Sequence, residues 1–371
     1  MSTEATTKTL AFARPPERIL VVVTRRIGDV LLATPVLRSL KNAWPRARID
    51  VLVFAGTGGF LAGNRDVDHV LTVPERPDLV THLKLLSSIA RRYDLALSLL
   101  PGDRPTLYAW IAGKRRAGLQ LPDGKSRWKH ALLDAWVPFD DTESHTVRMH
   151  LALLAVIGVE PIADVAPSWT RADETQAEDA LAPLGGARYA VMHPYPKFRY
   201  KMWTEEGWVR VGRWLEEQGL KVVLTGAPGA AERAYVARVA SQIPNVVDLS
   251  GALSLGGVAC VISGAAAYVG PDTAITHAAA ALGVPTVALF GPTNPVKWGP
   301  WPAEHSVAAN PWHRKGSQAA GCVRLVQGEG PCVPCGGEGC EKHIDSAADC
   351  LDELPPARVI AALNDVLLAK Q

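Results

Sequence analysis

The chain has 371 residues, 48% hydrophobic and 20% charged, with a formal net charge of +2. That length exceeds one ordinary core and suits two domains of globular composition. A net charge so close to neutral excludes a polycation that binds nucleic acid through its overall field, so affinity for anions has to come from local clusters.

The N-terminus, MSTEATTKTLAFARPPER, is polar and lacks the apolar core of a signal peptide, so residues 1–16 are expected to be a disordered lead-in. RILVVVT (Arg18–Thr24) reads as a buried parallel strand. IGDVLLATPVLRSLKNAWP follows as a helix stopped by Pro45, then RIDVLVFA and YDLALSLL as strands. HTVRMHLALLAVIGV reads as a helix ending at Gly158, and the Pro-rich EPIADVAPSWT as a linker. A second alternation then begins. RYAVMHP, KVVLTG, AAAYVG and VPTVALFG are its strands, with TEEGWVRVGRWLEEQGL, AERAYVARVASQ and DTAITHAAAALG as its helices. The longest charge-free window, Leu249–Pro271, is broken by five glycines and parses as turn, short helix and buried strand rather than a membrane span.

Strands alternating with helices in two runs predict an α/β protein with two Rossmann-like domains whose parallel sheets face a cleft. The expected boundaries are 17–165 and 166–354. The helix within 355–371 has one apolar face, and the N-terminal domain is a candidate surface for it. A cytoplasmic location is expected, with contact to a membrane surface open.

Ligands of open α/β sheets bind beyond the carboxyl ends of strands. The turn after the first strand reads TRRIGDVLL, so the G-x-G-x-x-G fingerprint is absent. Gly124–Ser126 (GKS) is no P-loop, because Leu119 stands where the earlier glycine belongs. What the strand ends carry instead is Gly28, suited to a tight turn, and Asp29. Two readings of Asp29 stand: an N-cap, or a general base projected toward an acceptor hydroxyl. HPYPKFRYKMW places His193, Lys197, Arg199 and Lys201 on a loop before a helix, either a solvated basic loop or a phosphate grip. In PDTAITHAAAALGVPTVALFGPTNP, Asp272 is expected to open a helix. The N–H groups of Thr273, Ala274 and Ile275 would then face an anion, with the Thr273 hydroxyl as a further donor. His277 is either a core histidine or part of that site.

These segments resemble glycosyltransferase family 9, the lipopolysaccharide heptosyltransferases. The likeness lies in RRIGDVLLATPVLRSLKNAWPRARIDVLV, KMWTEEGWVRVGRWL and VGPDTAITHAAAALGVPTVALFGPTNPVKWGPW, and runs from about Arg18 to the C-terminus. The resemblance implies a GT-B fold, with an acceptor-binding first domain and a donor-binding second. It implies an ADP-heptose donor and an inner-core sugar as acceptor. By position it implies Asp29 as catalytic base, Lys201 at the donor phosphates, Asp272, Thr273, Ala274, Ile275 and His277 as the donor loop, and Glu232 at the nucleoside. Two departures stand out: Ala274 occupies a position that is often glycine, and HPYPKFRY replaces the usual HPGA.

From Arg104 to Lys129 the chain holds seven Lys or Arg and one Asp. This stretch, with Arg115, Arg116, Lys125 and Arg127, is either a solvated face or the binding surface for an acidic glycolipid or anionic headgroups. Cys332, Cys335, Cys340 and Cys350 have spacing compatible with structural zinc, reduced thiols or a redox-labile disulfide. The reaction itself is expected to need no cofactor. The resulting expectation is an inverting glycosyltransferase acting as a monomer, peripheral to the inner membrane, on a lipid A-core type acceptor, with no nucleic acid partner. Its rivals are a GT-B enzyme using another nucleotide-sugar, transfer to a protein hydroxyl, and a non-catalytic glycan-binding protein.

Overall fold

The computed structural model describes residues 9–369. The chain divides into two compact units. One runs to Ala166 and takes in Ser306–Ala309; the other comprises Pro167–His305 and the chain from Asn310 onward.

In the first unit the strands are β1 (Arg18–Val22), β2 (Arg48–Phe54), β3 (His69–Val73), β4 (Tyr93–Ser98), β5 (Gly113–Gln120) and β6 (Ala135–Pro138). They form one six-stranded sheet in the order β3-β2-β1-β4-β5-β6. Every pairing is parallel. This is the doubly wound order, whose topological switch lies at β1 and β4. The central strands are aliphatic because both faces are covered: Ile19 to Val23 are fully buried.

The second unit repeats the plan. Its strands are β7 (Tyr189–Met192), β8 (Lys221–Leu224), β9 (Val247–Asp248), β10 (Ala267–Pro271), β11 (Thr286–Phe290), β12 (Gln318–Ala320) and β13 (Val323–Gln327). The order is β12-β13-β11-β10-β7-β8-β9, with only β12 antiparallel. Each unit is therefore Rossmann-like.

Four expectations need correction. Part of the lead-in is anchored: Leu10 is buried, its N–H donates to Val156 O at 2.7 Å, and Phe12 meets Trp44 edge-on at 5.7 Å. Residues 1–8 of that segment lie outside the described residues. The C-terminal helix, Pro356–Leu368, docks on its own unit. Val359, Leu363 and Val366 share a buried cluster with Met192, Val222 and Leu289, each contributing about 1.5–3 kcal/mol of apolar burial. The first helix is two: Ile27–Leu31 and Thr34–Ala43. Pro35 cannot donate a backbone hydrogen bond and its ring crowds the carbonyl of Leu31, which the Thr34 hydroxyl takes up at 2.7 Å. Finally, KRR within the basic stretch belongs to strand β5.

The first half of the predicted linker is held by the first unit. Ser39 Oγ accepts from Ile162 N at 2.8 Å, and Thr34 Oγ1 from Ala166 N at 2.9 Å.

Candidate active site

In the first unit, Gly28 and Asp29 are the second and third residues of the helix Ile27–Leu31, which starts beyond the carboxyl end of β1. Gly28 is therefore not a turn residue, and Asp29 is not the cap. Arg26 holds the cap position and makes no side-chain cap bond. This removes the structural role that capping would have given Asp29. The residue is only 4% exposed, and its carboxylate lies 3.4 Å from Nε of half-exposed Arg25. The helix is fixed from behind by His150, whose Nδ1 lies 3.2 Å from Leu32 O. Burial pushes His150 down to about 4, so the ring is neutral at pH 7 and donates this proton to the carbonyl.

The basic stretch falls apart in space. Register pairs Ile19 with Leu95 and Leu95 with Arg115, so Arg115 and Arg116 lie on the amino-terminal half of the sheet, away from the strand ends. Arg116 is also committed: its Nε and Nη2 grip Asp134 at 3.0 and 3.1 Å, and its backbone N–H reaches the same carboxylate at 2.8 Å. That clamp joins β5 to the turn before β6. Lys125 and Arg127 follow the end of β5, on the same end of the sheet as Asp29, and both are exposed with Trp128 beside them. Lys129 is buried and tied to Pro101 O at 2.8 Å and Asp103 at 3.2 Å.

In the second unit the loop after β7 splits. Lys197 and Arg199 are exposed, whereas Lys201 turns inward and forms an ion pair with Asp272. Local sequence explains the placement. Trp203 Nε1 donates to Leu354 O at 3.0 Å, the Tyr235 hydroxyl donates to Trp203 O at 2.9 Å, and Trp208 stands edge-on to Trp203 at 5.0 Å. A Cβ at position 207 would lie 2.5 Å from the Trp203 ring, so KMWTEEGW needs its glycine.

Thr273, not Asp272, caps the helix Ala274–Ala281, accepting from Thr276 N. Asp272 thus lies in the strand-to-helix turn, free of capping and turned to Lys201. The first helical N–H groups, those of Ala274 and Ile275, have no partner within a helix, and the helix dipole favours an anion there. Beneath them the Thr276 hydroxyl donates to Pro271 O at 2.5 Å and therefore accepts from the Tyr268 hydroxyl at 2.9 Å. Gly270 is required by this contact, because a Cβ there would lie 2.2 Å from the tyrosine oxygen.

Burial alone would push the Asp272 carboxyl up; Lys201 and His277, with hydrogen bonds from Lys201 and Thr293, outweigh it and hold the group below its ordinary value. His277 is buried and pushed down to about 4, chiefly by burial, and its Nδ1 has no hydrogen-bond partner. Behind the site His193 is likewise lowered to about 4 by burial and bonds Thr225 Oγ1 at 3.0 Å. Glu232 accepts from Ala227 N at 2.7 Å, and burial raises its pKa against that bond.

Lys201, Asp272 and His277 therefore meet, and Thr273, Ala274 and Ile275 adjoin them. Two partners were missed in the sequence. Thr293 lies in the stiff Gly-Pro-Thr-Asn-Pro turn, where a hydroxyl between prolines was a readable signal. Arg25, one turn before Asp29, was visible only as half of an Arg-Arg pair. The cysteines are free thiols, and among the described residues no group of three or more His, Cys, Asp or Glu side chains is arranged to hold a metal. Cys350 is pushed up to about 12 by burial and by the neighbouring thiols of Cys340, Cys335 and Cys332.

Two doubly wound units with these strand-end groups define a glycosyltransferase of the GT-B type. The family model for glycosyltransferase family 9 (heptosyltransferase) matches residues 83–323, and the chain belongs to that family. It is 27% identical over 285 residues to lipopolysaccharide heptosyltransferase 3 of Escherichia coli, covering 74% of this chain and 83% of the relative. It is 29% identical over 382 residues to lipopolysaccharide heptosyltransferase 1 of Pseudomonas aeruginosa, covering 95% and 99%. The fold matches the solved structure of E. coli ADP-heptose LPS heptosyltransferase II with a TM-score of 0.71 and 20% identity, over 95% of this chain and 99% of that one.

Proposed function

We propose that this protein transfers heptose, or a closely related sugar, from an ADP-sugar to a hydroxyl of a lipopolysaccharide inner core, with inversion at the anomeric carbon. The observation that carries this reading is the buried Lys201–Asp272 pair set against the open start of the helix Ala274–Ala281. A diphosphate fits that helix start, and its charge grows as the ADP leaving group departs. Lys201 and the Ala274 and Ile275 N–H groups meet the growing charge, an interaction stronger in the transition state than in the bound donor. Neutral His277 adds no charge beside the Lys201–Asp272 pair. Glu232 takes the nucleoside side. Asp29 accepts the proton of the acceptor hydroxyl as that oxygen attacks the anomeric carbon, the C–O bond forming as the bond to ADP breaks.

Of the predicted acceptor residues, Lys125 and Arg127 suit an acidic acceptor; Arg115 and Arg116 do not, by position and, for Arg116, by its clamp on Asp134. The acceptor is a glycolipid, and the protein meets it at a membrane surface as a monomer. The C-terminal thiols take no part in the reaction; a structural metal there is read by elemental analysis of the purified protein. The reading is tested by a transfer assay across ADP-heptose, ADP-glucose and UDP-sugars with a truncated core acceptor. Turnover with ADP-heptose supports it, and turnover confined to UDP-sugars overturns it.

A further inference from the structure

The most exposed large apolar side chains of the first unit cluster on one helical turn. Leu79, Val80 and Leu83 are 73%, 60% and 55% exposed. They belong to the helix Leu79–Ile89, whose opposite face is already used: Ile89 is buried, Leu85 and Leu86 pack on the core of the unit, and His82 meets Tyr108 edge-on at 5.6 Å. A surface helix with one core face carries polar residues on the other. This helix is apolar on both at its start, and a contiguous exposed apolar patch marks an interaction surface.

Position and charge say what covers it. The helix follows the carboxyl end of β3, so its first turn lies on the same end of the sheet as Asp29. β3 is two strands from β1, about 10 Å at the usual strand spacing. Exposed Arg76 precedes the turn and exposed Lys84 follows Leu83. Arg104 adds a third cation, its Nη1 bonding Glu75 O at 2.7 Å. The opposing charges are Glu75 and Asp78, whose carboxylate caps the helix and accepts from Thr81 N at 2.9 Å, so the three cations outnumber the two acids. Two strands to the other side of β1, after β5, exposed Trp128 stands with Lys125 and Arg127. Aliphatic side chains ringed by Lys and Arg, with a tryptophan on the same rim, suit the boundary between lipid headgroups and acyl chains.

We propose that the first turn of the helix Leu79–Ile89 is the surface through which this protein rests on an anionic lipid bilayer. Leu79, Val80 and Leu83 enter the boundary region, and Arg76, Lys84 and Arg104 face the headgroups. The placement rests on the reading of the acceptor as a membrane glycolipid, because it presents the Asp29 end of the sheet to the bilayer. Binding itself is measured without any sugar.

The test is co-sedimentation of the full chain with vesicles of phosphatidylcholine alone or mixed with phosphatidylglycerol. The wild type is expected to bind the mixed vesicles. L79E/L83E lowers that binding about tenfold or more, and R76E/K84E removes the preference for phosphatidylglycerol. Against a soluble, deacylated acceptor, L79E/L83E keeps wild-type kcat/KM, which also verifies its fold. If it does not fold, L79S/L83S is read in its place. The proposal is overturned if the wild type ignores anionic vesicles, or if the apolar variant binds them as well as the wild type. It is also overturned if size-exclusion chromatography shows a dimer that this variant dissociates, since a second copy then covers the turn. Failure of transfer to the soluble acceptor would count against the enzymatic reading and leave the vesicle result standing.

Discussion

Two helices in this protein start just past a parallel strand and carry an aspartate there, and the two aspartates are held in opposite ways. Asp29 lies inside its helix beside Arg25 of the same segment, a partner that is half exposed and attached by long, mobile bonds. Asp272 lies before its helix and is locked to Lys201, which comes from a different strand end, with neutral His277 and the Thr293 hydroxyl at hand. A carboxylate beside a half-exposed cation of its own segment is placed to take a proton in the proposed mechanism. A carboxylate buried under a lysine is a fixed charge that sets where that lysine stands. The same residue type, after the first strand of one unit and after the fourth of the other, suits proton transfer in the proposed mechanism at Asp29 and electrostatic placement at Asp272.

The strongest way to break this contrast is Asp29→Asn. A general base contributes about 10²–10⁴-fold, so kcat should fall by about three orders of magnitude, while ADP affinity by calorimetry stays at the wild-type value. Lys201→Met comes next. It leaves Asp272 buried without its partner, a loss of about 3–5 kcal/mol in unfolding free energy, together with about 10²-fold or more in kcat through lost leaving-group stabilisation. The double variant K201M/D272L sharpens the point. Urea denaturation should show most of the stability regained, and the assay should show no return of turnover.

Acid should act on the second unit through its histidines. His193 and His277 titrate near 4 in the folded chain and near 6.5 unfolded. The unfolded state therefore binds more protons between these values, and stability is full above about 6.5 and declines as pH falls toward 4. Tm should drop across that window, and His277→Gln should drop less. The smallest effects belong to the basic stretch. Arg116→Gln costs about 1–3 kcal/mol of stability through the Asp134 clamp and leaves acceptor KM unchanged. K125E/R127E should raise acceptor KM several-fold without touching donor KM.

The alternation of strands and helices was legible because the central strands are mostly buried on both faces and carry aliphatic runs, as in ILVV of β1 and VLV of β2. Elements that lack that signature were not. β3 is a five-residue edge strand, exposed along most of its length, and β5 opens on charged residues, so neither reads as a buried aliphatic run. The same property misplaced the acceptor cluster. Arg115 and Arg116 are close to Lys125 in the chain, yet a strand at about 3.3 Å per residue sets them back in the amino-terminal half of the sheet. Helix starts were legible to within a residue or two, and that was enough to change the chemistry: moving the cap from Asp272 to Thr273 turns a capping carboxylate into the partner of Lys201. A link between residues 201 and 272 depends on the strand order β10-β7, which no local pattern encodes.

The most direct test of the central claim is the structure of the product. The purified protein is incubated with ADP-heptose and a truncated inner-core acceptor, and the new glycosidic bond is read by mass spectrometry and NMR. The account predicts one added heptose with its anomeric configuration inverted relative to the donor. A product with retained configuration, or release of ADP with free heptose and no transfer, would contradict it.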